Sequence, residues 1–129
     1  MIYVDSSVAL AWLLVEERRP GTGFWHDALI SSRLLEYEVW RRLHAHGLSA
    51  PHGSAARELL ARITLIELSP PVLTRALQPF PQRVRTLDAL HLASLEFLRG
   101  RRLEPALASY DKRMVEAARR LGIAIAGLA

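Results

Sequence analysis

Apolar residues in this chain fall into short runs divided by turn chemistry, and the period changes from run to run. Ile2-Tyr3-Val4 opens with three strand-favouring residues, reaches a carboxylate at Asp5, and passes through Ser6-Ser7 into an apolar helical run over 8–15. Arg19-Pro20-Gly21-Thr22-Gly23 breaks that run, and 24–26 add a helical turn. Ala28-Leu29-Ile30-Ser31 reads as a second buried strand, with Ser31-Ser32 as caps for a helix over 34–46 that Gly47 stops. A helix over 54–62 leads into Ile63-Thr64-Leu65-Ile66-Glu67-Leu68, the clearest strand pattern of all, closed by Ser69-Pro70-Pro71.

A short helix over 72–77 precedes the second proline break, Pro79-Phe80-Pro81. The next helix is expected over 87–98, with Leu87, Leu90, Ser94 and Phe97 along one stripe and Gly100 as its stop. Ala106-Leu107-Ala108-Ser109-Tyr110-Asp111 reads as a strand ending in a carboxylate. A helix over 112–121 stopped by Gly122 and a closing strand over 123–126 complete the chain. Strands that alternate with helices predict a parallel sheet with right-handed crossovers, covered on both faces. The length of 129 residues, without repeat or linker, predicts one domain over 1–129 that buries about two-thirds of its unfolded surface.

Composition narrows the chemistry. Half of the residues are hydrophobic, as in an ordinary globular chain. Cysteine is absent, which excludes a disulfide scaffold and any thiolate-bound metal and leaves oxygen and imidazole as ligands. The run 8–15 is too short to span a bilayer and has no basic segment before it, so the chain is expected to stay in the cytoplasm where it is made. Net charge is +4, from 17 basic and 13 acidic residues, and every basic residue but Lys112 is arginine. That balance favours an anionic partner such as a phosphate backbone.

Two expected strand ends carry the same feature, Val4-Asp5 and Tyr110-Asp111, each just before a helix. Parallel strands put both acids on one edge, where open sheets bind ligands. Asp88, in the first turn of its helix, and either Glu36 or Glu38 are candidates to join them. Each acid also has a local explanation: Asp5 as a helix cap, Asp88 at the positive end of a helix dipole, Glu38 as a partner for Arg41 or Arg42. Together, carboxylates converging on one edge repel one another unless a cation neutralises them, and hard oxygen ligands suit Mg²⁺ or Mn²⁺.

These residues resemble those of the PIN-domain ribonucleases, and among them the VapC-type toxins of bacterial toxin-antitoxin pairs. The resemblance runs through the whole chain. It is carried by Ile2-Tyr3-Val4-Asp5-Ser6-Ser7, by Ser31-Ser32-Arg33-Leu34-Leu35-Glu36-Tyr37-Glu38-Val39, by Leu87-Asp88-Ala89-Leu90-His91-Leu92-Ala93 and by Ser109-Tyr110-Asp111. It implies a PIN-like three-layer α/β/α sandwich around a parallel sheet of about four or five strands. It also implies an endoribonuclease dependent on Mg²⁺ or Mn²⁺, with Asp5, Glu38, Asp88 and Asp111 as the acidic quartet. Helical periodicity leaves Glu36 and Glu38 open; the resemblance selects Glu38. Lys112 and Arg113 follow Asp111 where some relatives of the fold have a further acid, which leaves the number of metal ions open.

Around the quartet, Ser6, Ser7 and Ser109 are candidates to hydrogen-bond the carboxylates or a substrate phosphate, and His91 is expected to support the site rather than ligate metal. His44 and His46, two apart on a helix, diverge and make a poor metal site. The chemistry implied is hydrolysis of an RNA phosphodiester by cation-activated water, leaving a 5′-phosphate and a 3′-hydroxyl. The implied partners are a small antitoxin protein that covers the acidic edge, single-stranded or looped RNA, and a second copy of the chain, giving a homodimer and a toxin-antitoxin hetero-oligomer. Two other readings compete. An aspartate-based phosphotransfer module wants either a second Asp two residues after the first, where this chain has Ser7, or an acidic pair after the first strand. A catalytically inactive PIN-like binding domain has no need of all four acids.

Overall fold

The computed structural model describes residues 1–128. Four short strands form one parallel sheet: β1 (Ile2–Val4), β2 (Leu29–Ser32), β3 (Thr64–Ile66) and β4 (Ala106–Ala108), in the order β3-β2-β1-β4. Register pairs Tyr3 with both Ile30 and Leu107, and Val4 with Ala108. Six α-helices connect and cover them: α1 (Ser6–Leu13), α2 (Arg33–Ala45), α3 (Ser49–Ala61), α4 (Pro70–Ala76), α5 (Thr86–Gly100) and α6 (Lys112–Arg120). The result is the expected α/β/α sandwich, with four strands.

The period-2 alternation of strand side chains divides the core in two. Val4, Leu29 and Ala108 face one layer with Val8, Leu35, Val39, Leu43 and Leu59 from α1, α2 and α3. Tyr3, Ile30 and Leu107 face the other with Leu92, Leu95, Met114 and Ala117 from α5 and α6. Strands this short are stabilised by burial on both faces, as parallel sheets require.

Several boundaries differ from the sequence expectation. The helix expected over 54–62 begins at Ser49, because Pro51 falls in its first turn, where a missing N–H costs nothing. The pattern over 63–68 yields only Thr64–Ile66, an edge strand with a single neighbour, β2. Of the stripe expected on α5, Ser94 is buried, Leu90 and Phe97 are half-buried and Leu87 is exposed; the buried face also takes in Asp88, His91, Leu92, Leu95 and Leu98. Gly100 lies inside α5, and the left-handed residue that turns the chain is Arg102, with φ 63°. The closing strand over 123–126 reduces to a bridge, with Leu107 N–H donating to Ala124 and Ala126 N–H donating to Leu107, both at 2.8 Å.

Gly122 ends α6 with φ +76°, whereas Gly53 sits in mid-helix with Trp40 at 3.6 Å from where a Cβ would stand, an ordinary contact distance. Gly53→Ala should therefore stabilise the protein by roughly 0.5 to 1 kcal/mol through helix propensity. Gly122→Ala should destabilise it by roughly 1 to 2 kcal/mol through the left-handed backbone. Urea denaturation of both variants checks the opposite signs.

Candidate active site

In the order β3-β2-β1-β4 the chain moves outward from β1 to β3 and then jumps back to β4 on the other side of β1. That switch point opens a crevice beyond the carboxyl ends of β1 and β4. Asp5 leaves β1 there. It stands at the N-cap position of α1, yet its side chain makes no capping bond, so the local explanation fails. Its Oδ2 instead accepts from the Ser7 hydroxyl at 2.6 Å and the Ser109 hydroxyl at 2.7 Å. Both hydroxyls also accept backbone N–H groups, Ser7 from Tyr110 at 2.9 Å and Ser109 from Asp111 at 3.0 Å. This knot ties the ends of β1 and β4 together and holds Asp5 with 4% of its surface exposed.

Asp111 divides its two oxygens. Oδ1 caps α6 by accepting from the N–H groups of Arg113 at 3.0 Å and Met114 at 3.4 Å, and Oδ2 accepts from Arg85 Nη2 at 2.6 Å. The same guanidinium donates from Nε to Asp88 Oδ2 at 3.3 Å. Burial raises the pKa of the Asp88 carboxyl above its ordinary value, the charge of Asp111 adds to the rise, and Arg85 opposes both. Arg85 thus bridges two acids that would otherwise repel.

Glu38 comes from α2 and is held by two donors, Ser6 Oγ at 3.0 Å and His91 Nε2 at 2.5 Å. Glu36, two residues earlier, turns outward to Arg33 at 3.1 Å. His91 is buried behind the cleft, with Nδ1 at 2.7 Å from the Tyr3 hydroxyl and Nε2 at 3.9 Å from Asp5. Burial alone would lower its pKa, but the Tyr3 oxygen and the carboxylates of Glu38 and Asp5 outweigh it and raise the value to about 10. The charged ring then donates from both nitrogens.

Asp5, Glu38, Asp88, Asp111, Ser6 and Ser7 line one cleft of about 500 Å³, with Arg42, Arg85 and Thr86 also on its wall. His91 and Ser109 stand behind that wall and orient Glu38 and Asp5. Arg85 is the member that sequence reasoning missed. Its local signal is slight, a cation three residues before Asp88 at the mouth of a helix. His44 stacks on Trp40 away from the cleft lining.

The serine hydroxyls donate to carboxylates and have no neutral base beside them, so the arrangement does not activate a protein nucleophile. An all-oxygen acidic cleft suits a hard divalent cation. Among the described residues no three acidic or imidazole groups converge at metal-binding distance as arranged, and the Arg85 guanidinium lies between Asp88 and Asp111. Asp5, Glu38, Asp88 and Asp111 are oxygen donors of the kind such a cation takes, and the Arg85 side chain that lies between two of them is 65% exposed.

The PIN domain family matches residues 2–120 of the chain. Ribonuclease VapC46 of Mycobacterium tuberculosis (strain ATCC 25618 / H37Rv) is 38% identical over 137 residues, covering 96% of this chain and 95% of the relative. Ribonuclease VapC35 of Mycobacterium tuberculosis (strain CDC 1551 / Oshkosh) is 32% identical over 132 residues, covering 97% and 95%. Ribonuclease VapC47 of the same strain is 29% identical over 133 residues, covering 98% and 96%.

The raised pKa of His91 makes stability depend on pH. A folded-state pKa above the unfolded one stabilises the native state fully below the ordinary histidine value of 6.5, and the contribution is lost as pH rises through about 10. The urea midpoint of the protein in EDTA should fall across that window. In His91→Gln the fall should be markedly smaller, which equilibrium unfolding at a series of pH values measures.

Proposed function

The chain belongs to the PIN-domain family, and on that premise we propose that it is the toxin of a toxin-antitoxin pair, an endoribonuclease that hydrolyses RNA phosphodiester bonds with Mg²⁺ or Mn²⁺. The observation that carries this reading is the convergence of Asp5, Glu38, Asp88 and Asp111 on one cleft. The kinship with VapC ribonucleases supports it. One PIN domain occupies residues 1–129 in this reading, and the protein works in the cytoplasm, where its RNA is. No helix among the described residues is long and apolar enough to cross a membrane.

Asp5, Glu38, Asp88 and Asp111 would hold the cation. A bound divalent cation supplies a water of lowered pKa and charge stabilisation for the departing oxygen. The chain's own residues do the positioning. Ser7 and Ser109 fix Asp5, the start of α6 fixes one oxygen of Asp111 and leaves the other to the cleft, and Ser6 with His91 fixes Glu38. Arg42 and Arg85 stand on the cleft wall as cations for a substrate phosphate.

The antitoxin would close the cleft with an arginine set between acids, a reading supported by the chain's own Arg85, which lies between Asp88 and Asp111. Leu73 and Leu77, the latter 85% exposed, line an apolar groove between α4 and α5 that suits a second copy of the chain or the antitoxin. Light scattering should give at least a dimer mass at micromolar concentration. A strictly monomeric mass with and without co-expressed antitoxin overturns the assembly.

For the chemistry, Asp5→Asn, Glu38→Gln, Asp88→Asn and Asp111→Asn should each reduce RNA cleavage by about a hundredfold or more, since a hard cation loses a charged ligand. Melting temperatures should move little by comparison. Glu36→Gln, with its side chain outside the cleft, should cleave as the parent does. Cleavage measured against Mn²⁺ concentration and in EDTA, with end mapping for a 5′-phosphate, checks all five; folded Asp5→Asn and Asp88→Asn variants as fast as the parent would overturn the assignment.

A further inference from the structure

A second groove, of about 570 Å³, begins where the acidic cleft ends. It is lined by Gln82, Arg83, Val84, Arg85, Arg113, Glu116 and Arg120, and it shares Arg85 with the cleft. Four arginines therefore face one acid. Arg120 engages that acid, Glu116, at 3.5 Å and also donates to the Pro81 carbonyl at 3.3 Å. Arg83 and Arg113 are exposed, and among the described residues their side chains make no hydrogen bond or ion pair.

The walls of the groove are pinned to each other. Gln82 Nε2 donates to the Arg113 carbonyl at 3.3 Å, and Arg120 reaches Pro81 from the far end of α6. The segment 78–85 has no regular secondary structure of its own, and these two bonds, with Phe80 and Val84 packed on the core, hold its backbone beside α6. Unpaired guanidiniums on a fixed groove are suited to successive phosphates, each of which accepts two parallel N–H bonds.

We propose that this groove carries the phosphates of the RNA strand on one side of the scissile bond, with Arg83 and Arg113 as its principal contacts and Arg85 as the wall common to groove and cleft. The assignment rests on the ribonuclease reading above. It accounts for two cations that the four acids do not need: Arg85 already faces Asp88 and Asp111, while the side chains of Arg83 and Arg113 have no hydrogen-bond or ion-pair partner among the described residues. A divalent cation bound by the acids would repel the Arg85 guanidinium, which would then be available to a phosphate in the groove.

The test uses Arg83→Gln and Arg113→Gln, with Arg62→Gln at the end of α3 on the other face of the sheet as control. The probe is a fluorescein-labelled 12-nucleotide single-stranded RNA of mixed sequence. Steady-state cleavage in Mn²⁺ should show KM raised by about three- to tenfold for each groove variant, with kcat within about twofold of the parent. Anisotropy titrations in EDTA should show weaker binding, and the slope of log affinity against log salt should shrink by about 0.7 for each contact removed. Arg62→Gln should match the parent. Groove variants that bind and cleave like the parent overturn the groove while leaving the ribonuclease reading intact. Unchanged RNA binding together with weaker retention of a co-expressed partner protein also overturns it, by giving the groove to an acidic protein surface. A parent that neither binds nor cleaves the RNA removes both readings together.

Discussion

Four carboxylates at one edge of a small sheet are an electrostatic debt that the fold must settle before it can be stable. Each has been settled by a different donor: hydroxyls for Asp5, a helix N-terminus for one oxygen of Asp111, an imidazolium and a hydroxyl for Glu38, and a guanidinium for Asp88. Asp88 is the least fully compensated, since burial and Asp111 still hold its pKa above the ordinary value. The demand for positive charge is therefore greatest between Asp88 and Asp111, where Arg85 lies. Everything else in the site is arranged around that demand.

The parts of this arrangement differ in how firmly they are held. Asp5, Asp88 and Asp111 sit at the ends of regular elements and Glu38 within α2, where backbone hydrogen bonds and buried neighbours fix their directions. Arg85 ends the irregular segment 78–85 and carries a long, largely exposed side chain. Negative charge is thus built on rigid supports and positive charge on a movable one. In the proposed exchange of Arg85 for a metal ion, that asymmetry would let the exposed partner leave without unfolding its surroundings.

How much of this could be read from the sequence depends on whether the cause was local or tertiary. Ser-Ser after a strand, Gly47 and Gly122 after helices, and acids at two strand ends are local signals, and the elements that they mark are present. On α5 hydropathy favours Leu87 and Leu90 over Asp88 and His91, yet the polar pair is buried, His91 against the Tyr3 hydroxyl and Asp88 beside Arg85. The pattern over 63–68 has the residues of a full strand, but an edge position with one neighbour supports only three of them. The choice between Glu36 and Glu38 turns on Arg33 and His91, residues on two different elements, and no window of sequence contains that comparison. Arg85 was hidden for the same reason: its meaning comes from Asp111, 26 residues away.

The bridge between Leu107 and Ile125 adds too little to count as a strand, yet it decides how the sheet meets other chains. A sheet edge with free N–H and C=O groups is a template for another molecule's strand. On the β4 side, Leu107 spends both of its outward groups on Ala124 and Ala126, so the segment 123–126 acts as a terminator for sheet growth. On the β3 side only brevity offers protection, with three residues and an exposed Thr64. The molecule is thus polar in its tendency to associate through backbone pairing: at one margin β4 is covered by a short segment of its own chain, and at the other β3 offers its outward groups directly.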